Sequence, residues 1–181
     1  MAVKAVGLAV AAVVGVVVAA GAEGSPGGDG APGSIDGAWS GLGLAVVKRA
    51  SQGNPECLSY TFGEVHQLMT VMPCVSLSRS LTTLTDGKGV TIVVHTAWVE
   101  YGTRAGAREF QRVEDIHGTG DVTPLPGALV DLADVEFSAR HYASTVTDTT
   151  TVLAETEAVA GAPTDHLLHE VAEIAVLAPR P

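Results

Sequence analysis

The stretch Val75–Tyr101, VSLSRSLTTLTDGKGVTIVVHTAWVEY, decides the fold. Two runs rich in Leu, Thr, Val and Ile flank Asp86-Gly87-Lys88-Gly89, a turn composition, so the segment reads as a β-hairpin. With Thr85 paired to Val90, Leu81 stands opposite Val94, Leu77 opposite Trp98 and Thr83 opposite Ile92. That face is apolar and is expected to meet the core. The other face sets Ser76, Ser78, Ser80 and Thr82 against Val99, Ala97, His95 and Val93. Such a face suits a sheet with one side solvated or lined by a ligand.

A helix follows, with Thr103 as N-cap. Phe110, Val113 and Ile116 recur at three-residue spacing with Ala107 beside Phe110, and Gly118 is placed to end it. The plan then repeats. The runs VEFSARHYASTV (Val135–Val146) and TTVLAETEAVA (Thr150–Ala160) pair around a turn, Thr147 with Thr150. One face carries Phe137, Ala139 and Ala143 with Val152, Ala154 and Ala158. The other carries Glu136, Arg140 and Tyr142 across from Glu155 and Glu157, and Arg140 pairs with Glu157 as a cross-strand ion pair. Thr164 caps a last helix whose apolar stripe is Leu167, Leu168, Val171, Ile174 and Ala175.

Two hairpin–helix units in succession imply an α+β domain of two layers. The expected form is an antiparallel four-stranded sheet with helices on one face. Leu42–Ala50 reads as a further helix of that layer.

Upstream, Cys57 and Cys74 are the only cysteines. Two thiols in one small domain are expected to pair if the domain lies outside the cytoplasm. Between them, Thr61 and Glu64 have capping-box spacing, and Tyr60 and Val65 have that of a hydrophobic staple. Val65, Leu68, Met69 and Met72 recur at helical spacing before Pro73. The disulfide is thus expected to clip the two ends of a short helix, with His66 solvated.

Residues Glu23–Trp39 are dominated by Gly, Pro, Ser and Asp and read as a tether. Before them, Ala5–Ala22 is an uncharged run of Ala, Val, Gly and Leu behind Lys4. Its length lies between a secretory h-region and a membrane span. It reads either as a single-pass anchor with its N-terminus inside, or as a signal cleaved near Ala22. On both readings residues 40–181 form an extracytoplasmic domain. The formal net charge of −10 argues against nucleic acid or an anionic membrane surface as partner.

The residues that can carry function on this reading are His95 with its hydroxyl row, and Arg140, Tyr142, Glu155 and Glu157, all on the open sheet face. His141 falls on the core face and is expected to bond to Thr156 or to a helix. His95 and His141 are the two weak candidates for a catalytic base. His166, His169, Glu170 and Glu173 share one face of the last helix. They read as its solvated side, because no zinc motif supports a metal there. No nucleophile elbow, phosphate loop, dinucleotide or calcium motif occurs, and no cofactor is implied. HGTGD follows a helix rather than opening one, so it does not offer a phosphate cradle.

The leader, the Gly/Pro linker, PECLSYTF, the second Pro-Cys after the helix, and the AWV and RHYAS strands together resemble small extracytoplasmic proteins of actinobacteria. That resemblance implies a membrane-anchored or secreted protein and carries no catalytic assignment. The expected function is a cell-envelope binding or interaction domain. It would contact a protein, an envelope ligand or a second copy in a homodimer, with the membrane reached through the N-terminal segment. The alternative is an envelope hydrolase or isomerase built on a histidine and carboxylates.

Overall fold

A computed structural model describes residues 34–133 and 135–181. The described residues are α+β, with four helices around a five-stranded antiparallel sheet. The strands are β1 (Ala45–Asn54), β3 (Ser76–Thr85), β4 (Thr91–Glu100), β7 (Thr150–Ala160) and β6 (Tyr142–Thr147), in the spatial order β1-β3-β4-β7-β6. A short pair, β2 (Thr61–Phe62) and β5 (Gly120–Val122), forms a second sheet. The helices are α1 (Ile35–Gly41), α2 (Gly63–Val71), α3 (Arg104–Glu114) and α4 (Asp165–Ala175). Among the described residues no helix is long and apolar enough to cross a membrane. The leader lies outside the described residues.

The central hairpin forms, but one residue out of the expected register. Thr85 pairs with Thr91, which puts Leu81 opposite His95 and Leu77 opposite Val99. The cause is local. One oxygen of Asp86 accepts the backbone N–H groups of Lys88 and Val90, and the Thr85 hydroxyl donates to the Val90 carbonyl. Val90 is thereby held inside the loop, and Gly87 and Gly89 supply the positive φ values that the loop needs. Because side chains alternate, the slip exchanges the faces of one strand relative to the other.

Helices cover both faces of the sheet, not one. On the first face, Leu84, Ile92, Val94, Trp98, Val152 and Ala154 pack against Trp39 of α1 and Leu168, Val171, Ala172 and Ala175 of α4. On the second face, Leu77, Ala97, Val99 and Leu153 meet Val65 and Met69 of α2 and Ala107, Phe110 and Val113 of α3. The Thr123–Phe137 segment covers the rest of that face, with Leu125 and Val130 over Ala50, Leu81 and Val93. This is why β3 and β4 are buried from end to end apart from their terminal residues.

Leu42–Ala50 is not a helix. Most of it is edge strand β1, in which Val46 and Val47 favour the pleat. A bulge lies between Val46 and Lys48. The helix of this region comes earlier, where Ser34 caps α1 through its hydroxyl and Trp39 enters the core. Helices α3 and α4 start on Thr103 and Thr164 as expected, each hydroxyl accepting a backbone N–H of the first turn. Ile116 lies beyond the end of α3 and is exposed.

Helix α2 departs from its expected cap. The Thr61 hydroxyl donates to the Leu58 carbonyl, and the first turn is fixed by backbone instead. Gly63 crosses Gly120, and Glu64 N–H donates to the Thr119 carbonyl. A Cβ on Gly63 would collide with the Thr119 carbonyl, and one on Gly120 with that of Phe62.

Cys57 and Cys74 form a disulfide, with Cα atoms 6.3 Å apart and a sequence separation of 17. It joins the segment before α2 to the segment after it. Closing a loop of this size contributes about 3 kcal/mol in the chain-entropy account. The Cys57→Ala/Cys74→Ala double variant is expected to lose about 2–4 kcal/mol in chemical denaturation. A loss below about 1 kcal/mol would mean that packing alone holds α2.

Candidate functional site

The register sorts the polar residues of the sheet into two places. On the second face, Leu81, His95, Glu155 and Tyr142 stand in one cross-strand row. On the first face, Ser51, Ser80 and Thr96 form another. His95 and the hydroxyl row, expected side by side, are therefore on opposite sides of the sheet.

Within this row Leu81, His95 and Glu155 are sealed, and Tyr142 at the β6 end is half-buried. The His95 side chain is fully buried, and among the described residues neither ring nitrogen has a hydrogen-bond partner. Phe137, from the covering segment, tilts against its ring at 5.7 Å between centroids. Glu114 of α3 and Asp121 of β5 come down over the same row. Glu114 and Glu155 are both buried, and each leaves its Oε1 without a donor. Glu155 Oε2 accepts the Ala139 N–H at 3.0 Å. Burial first, and then the negative charge of Asp121, push both carboxyls well above the ordinary carboxylate range. A neutral acid with a proton to share with Asp121 accounts for acceptors that no N–H reaches. Burial also lowers the His95 imidazole to about 4, against the pull of Asp121 and aided by Arg79.

Arg79 lies on the same face. Its guanidinium donates to the Thr123 carbonyl at 2.8 Å and to Gln52 at 3.3 Å, and stacks over the Tyr60 ring at 4.0 Å. It ties the covering segment to the sheet. At the β6 side, the hydroxyls of Tyr142 and Ser144 both donate to Asp115. Asp121 is half-buried and Asp115 is exposed.

Arg140 and Glu157 do not join this group. The first strand of the second hairpin begins only at Tyr142, and the chain turns away through Ala139 at positive φ. The expected Arg140–Glu157 pair does not form: Glu157 takes the backbone N–H and hydroxyl of Ser138 instead, and Arg140 is exposed. His141 is buried and bonds through Nε2 to Asp165 of α4 at 3.0 Å. His166 and His169 pair with Glu170 and Glu173 along the open side of α4. Among the described residues no group of His, Cys, Asp and Glu is arranged to hold a metal ion.

The hydroxyl row faces an open cleft of about 470 Å³. Its floor is Ser51, Ser80, Thr82 and Thr96, and its walls include Trp39, Trp98, Ile35 and Leu177. Ser51, Ser80 and Thr96 make no side-chain hydrogen bond within the described residues, and none of their hydroxyls is sealed from solvent. At one end Arg49 donates to Thr82 and to Asp36 and lies 5.8 Å from the Trp39 ring centre. At the other, Arg180 donates to Ser76, Ser78 and Glu100. The Trp98 indole N–H donates to the Ala178 carbonyl at 3.0 Å.

Sequence reasoning missed Arg79, Glu114 and Asp121. Glu114 carried a usable signal, since it falls four residues after Phe110 on the buried stripe of α3. Arg49 and Trp39 were hidden by assigning their segments to a helix and a tether.

The cluster makes stability pH-dependent. A carboxyl raised in the folded state stays neutral there while the unfolded chain ionises above about 4.3, so the stability it contributes is lost as pH rises. His95, lowered in the fold, acts in reverse, its contribution being lost as pH falls from about 6.5 towards 4. The two effects oppose each other below about pH 6.5, and between there and about pH 9 the carboxyls act without His95. Unfolding free energy is expected to fall between pH 7 and pH 9, and the Glu114→Gln/Glu155→Gln variant to flatten that slope. An unchanged slope in the variant would place the titrating groups elsewhere. No protein-family model, curated protein or solved structure matches this chain, so the sealed cluster and the open cleft are read from their own geometry.

Proposed function

We propose that this chain is an extracytoplasmic binding domain of the cell envelope, and that its ligand occupies the cleft on the α1/α4 face. The observation that carries the reading is the row of unspent hydroxyls from Ser51, Ser80 and Thr96 on the floor of an open cleft. Hydroxyls without protein partners in a half-apolar recess are what an orienting ligand site offers. The volume lies within the range of about 300–1,000 Å³ usual for small ligands. The disulfide and the apolar leader support placement outside the cytoplasm. The tether, read from the sequence as Glu23–Trp39 but ending in α1 from Ile35, belongs to the same proposal, whether the leader anchors the domain or is cut.

Both tryptophans of the chain line this cleft, so intrinsic fluorescence reports its occupancy. A panel of chitobiose, muramyl dipeptide, lysophosphatidylglycerol and short cationic peptides is expected to contain a member that shifts the emission. Ser80→Phe, which fills the floor, is expected to weaken that binding at least tenfold while the protein stays folded. Binding that is indifferent to Ser80→Phe would overturn the assignment of the cleft.

A second reading, acid–base catalysis by His95 with Glu155 and Asp121, is favoured by the orphaned ring nitrogens and carboxyl oxygens. Against it, the ring has no route to solvent. Native protein treated with diethyl pyrocarbonate is expected to be modified at His166 and His169 and spared at His95. Modification of His95 as fast as of His166 would show a reachable imidazole and favour an enzyme.

A further inference from the structure

The segment Leu177–Pro181 lies in the cleft and shows a mode of recognition. Pro179 and Pro181 hold their own φ near −65° and drive the residues before them, Ala178 and Arg180, away from helix. The Trp98 indole N–H takes the Ala178 carbonyl at 3.0 Å, the donor-to-carbonyl contact by which aromatic grooves read extended proline-rich chains. Arg180 then spends all three guanidinium nitrogens. Nε donates to Ser78 Oγ, Nη2 to Ser76 Oγ and Nη1 to Glu100, each at 2.8 Å. The acceptors stand on β3 and β4, the two enclosed strands, and Ser76 also donates to Glu100 at 2.7 Å. The site is thus aligned by the sheet rather than by the segment that fills it.

The occupant lies at the surface. Leu177, Pro179, Arg180 and Pro181 are all exposed, and two of the three Arg180 bonds, to Glu100 and Ser76, are open to solvent, the third reaching in to Ser78. Open space remains beside the segment, over the Ser51–Ser80–Thr96 row. The acidity of the chain, at net −10, favours a cationic partner over an anionic one.

We infer that the cleft is a docking groove for an extended proline-containing peptide that carries an arginine, and that Leu177–Pro181 occupies it until such a partner displaces it. The partner's arginine takes the Ser76–Ser78–Glu100 site, and its backbone carbonyl takes the Trp98 N–H. The rest of the partner runs over the free hydroxyls towards Arg49 and Asp36. This inference rests on the cleft being the binding site and adds the chemistry of what binds there.

The test uses the full chain and the Arg180→Ser variant, titrated with the capped peptides LAPRP and LAPEP and followed by the Trp98 indole N–H resonance. Arg180→Ser is expected to bind LAPRP at least tenfold more tightly than the unaltered chain, whose own arginine competes. It is expected to ignore LAPEP. Adding Glu100→Gln to Arg180→Ser is expected to weaken LAPRP binding at least tenfold. A folded Arg180→Ser variant that binds neither peptide, or both alike, overturns the inference, as does binding that survives Glu100→Gln. A concentration-dependent dimer of the unaltered chain that Arg180→Ser abolishes would also overturn it, by assigning the groove to a second copy. If both peptides fail while Ser80→Phe still blocks another probe, the cleft stands as a binding site and only the peptide chemistry falls.

Discussion

The carboxylate of Asp86 closes the central hairpin, and the placing of the sheet's polar rows follows from the register it closes. One oxygen accepting two loop N–H groups decides that Val90 belongs to the turn and Thr91 to the strand. In a sheet the side-chain period is two, so this choice of one residue decides which side chains face together. With the loop closed this way, His95 joins Leu77, Leu81 and Arg79, while Trp98 and Thr96 join Ser78 and Ser80. One side of the hairpin becomes an acid-and-imidazole core and the other the floor of a recess.

Two kinds of buried polarity follow. Under α3 and β5, groups that would ordinarily ionise are kept neutral by low dielectric and by each other, and the covering Phe137 and Leu125 exclude water. On the far face, the hydroxyls of Ser80 and Thr96 are buried yet lead to open space. The first arrangement brings acids from helix, short strand and sheet together in one buried cluster. The second keeps hydrogen-bonding capacity open to solvent, where an arriving ligand can take it up.

Most of the fold was legible because its signals were local. Thr103 and Thr164 cap their helices, the Thr147–Thr150 pairing follows from a tight turn, and Cys57 and Cys74 bracket a short helix. The failures came where a long-range contact overrode a local signal. Thr61 has the composition of a cap, but the crossing of Gly63 and Gly120 fixes the start of α2. Leu42–Ala50 satisfies a helical pattern, but its valines complete a sheet whose other strands lie more than twenty residues away. Of the candidate residues, His95, Glu155 and Tyr142 do meet, because one strand-to-strand row contains them. Arg140 and Glu157 depend on where a strand begins, and Ala139 at positive φ ends it early.

The bulge in β1 bears on self-association. An outer strand offers its free amides and carbonyls to any similar strand that drifts alongside. Here the Val46–Lys48 irregularity breaks the regular spacing of those groups, and Lys48, engaged with Asp131, sets charge beside the break. At the opposite margin, β6 is only 6 residues long. Neither border provides a straight template for lateral growth, so the sheet is guarded against fibrous stacking, and two copies that meet must do so through side chains.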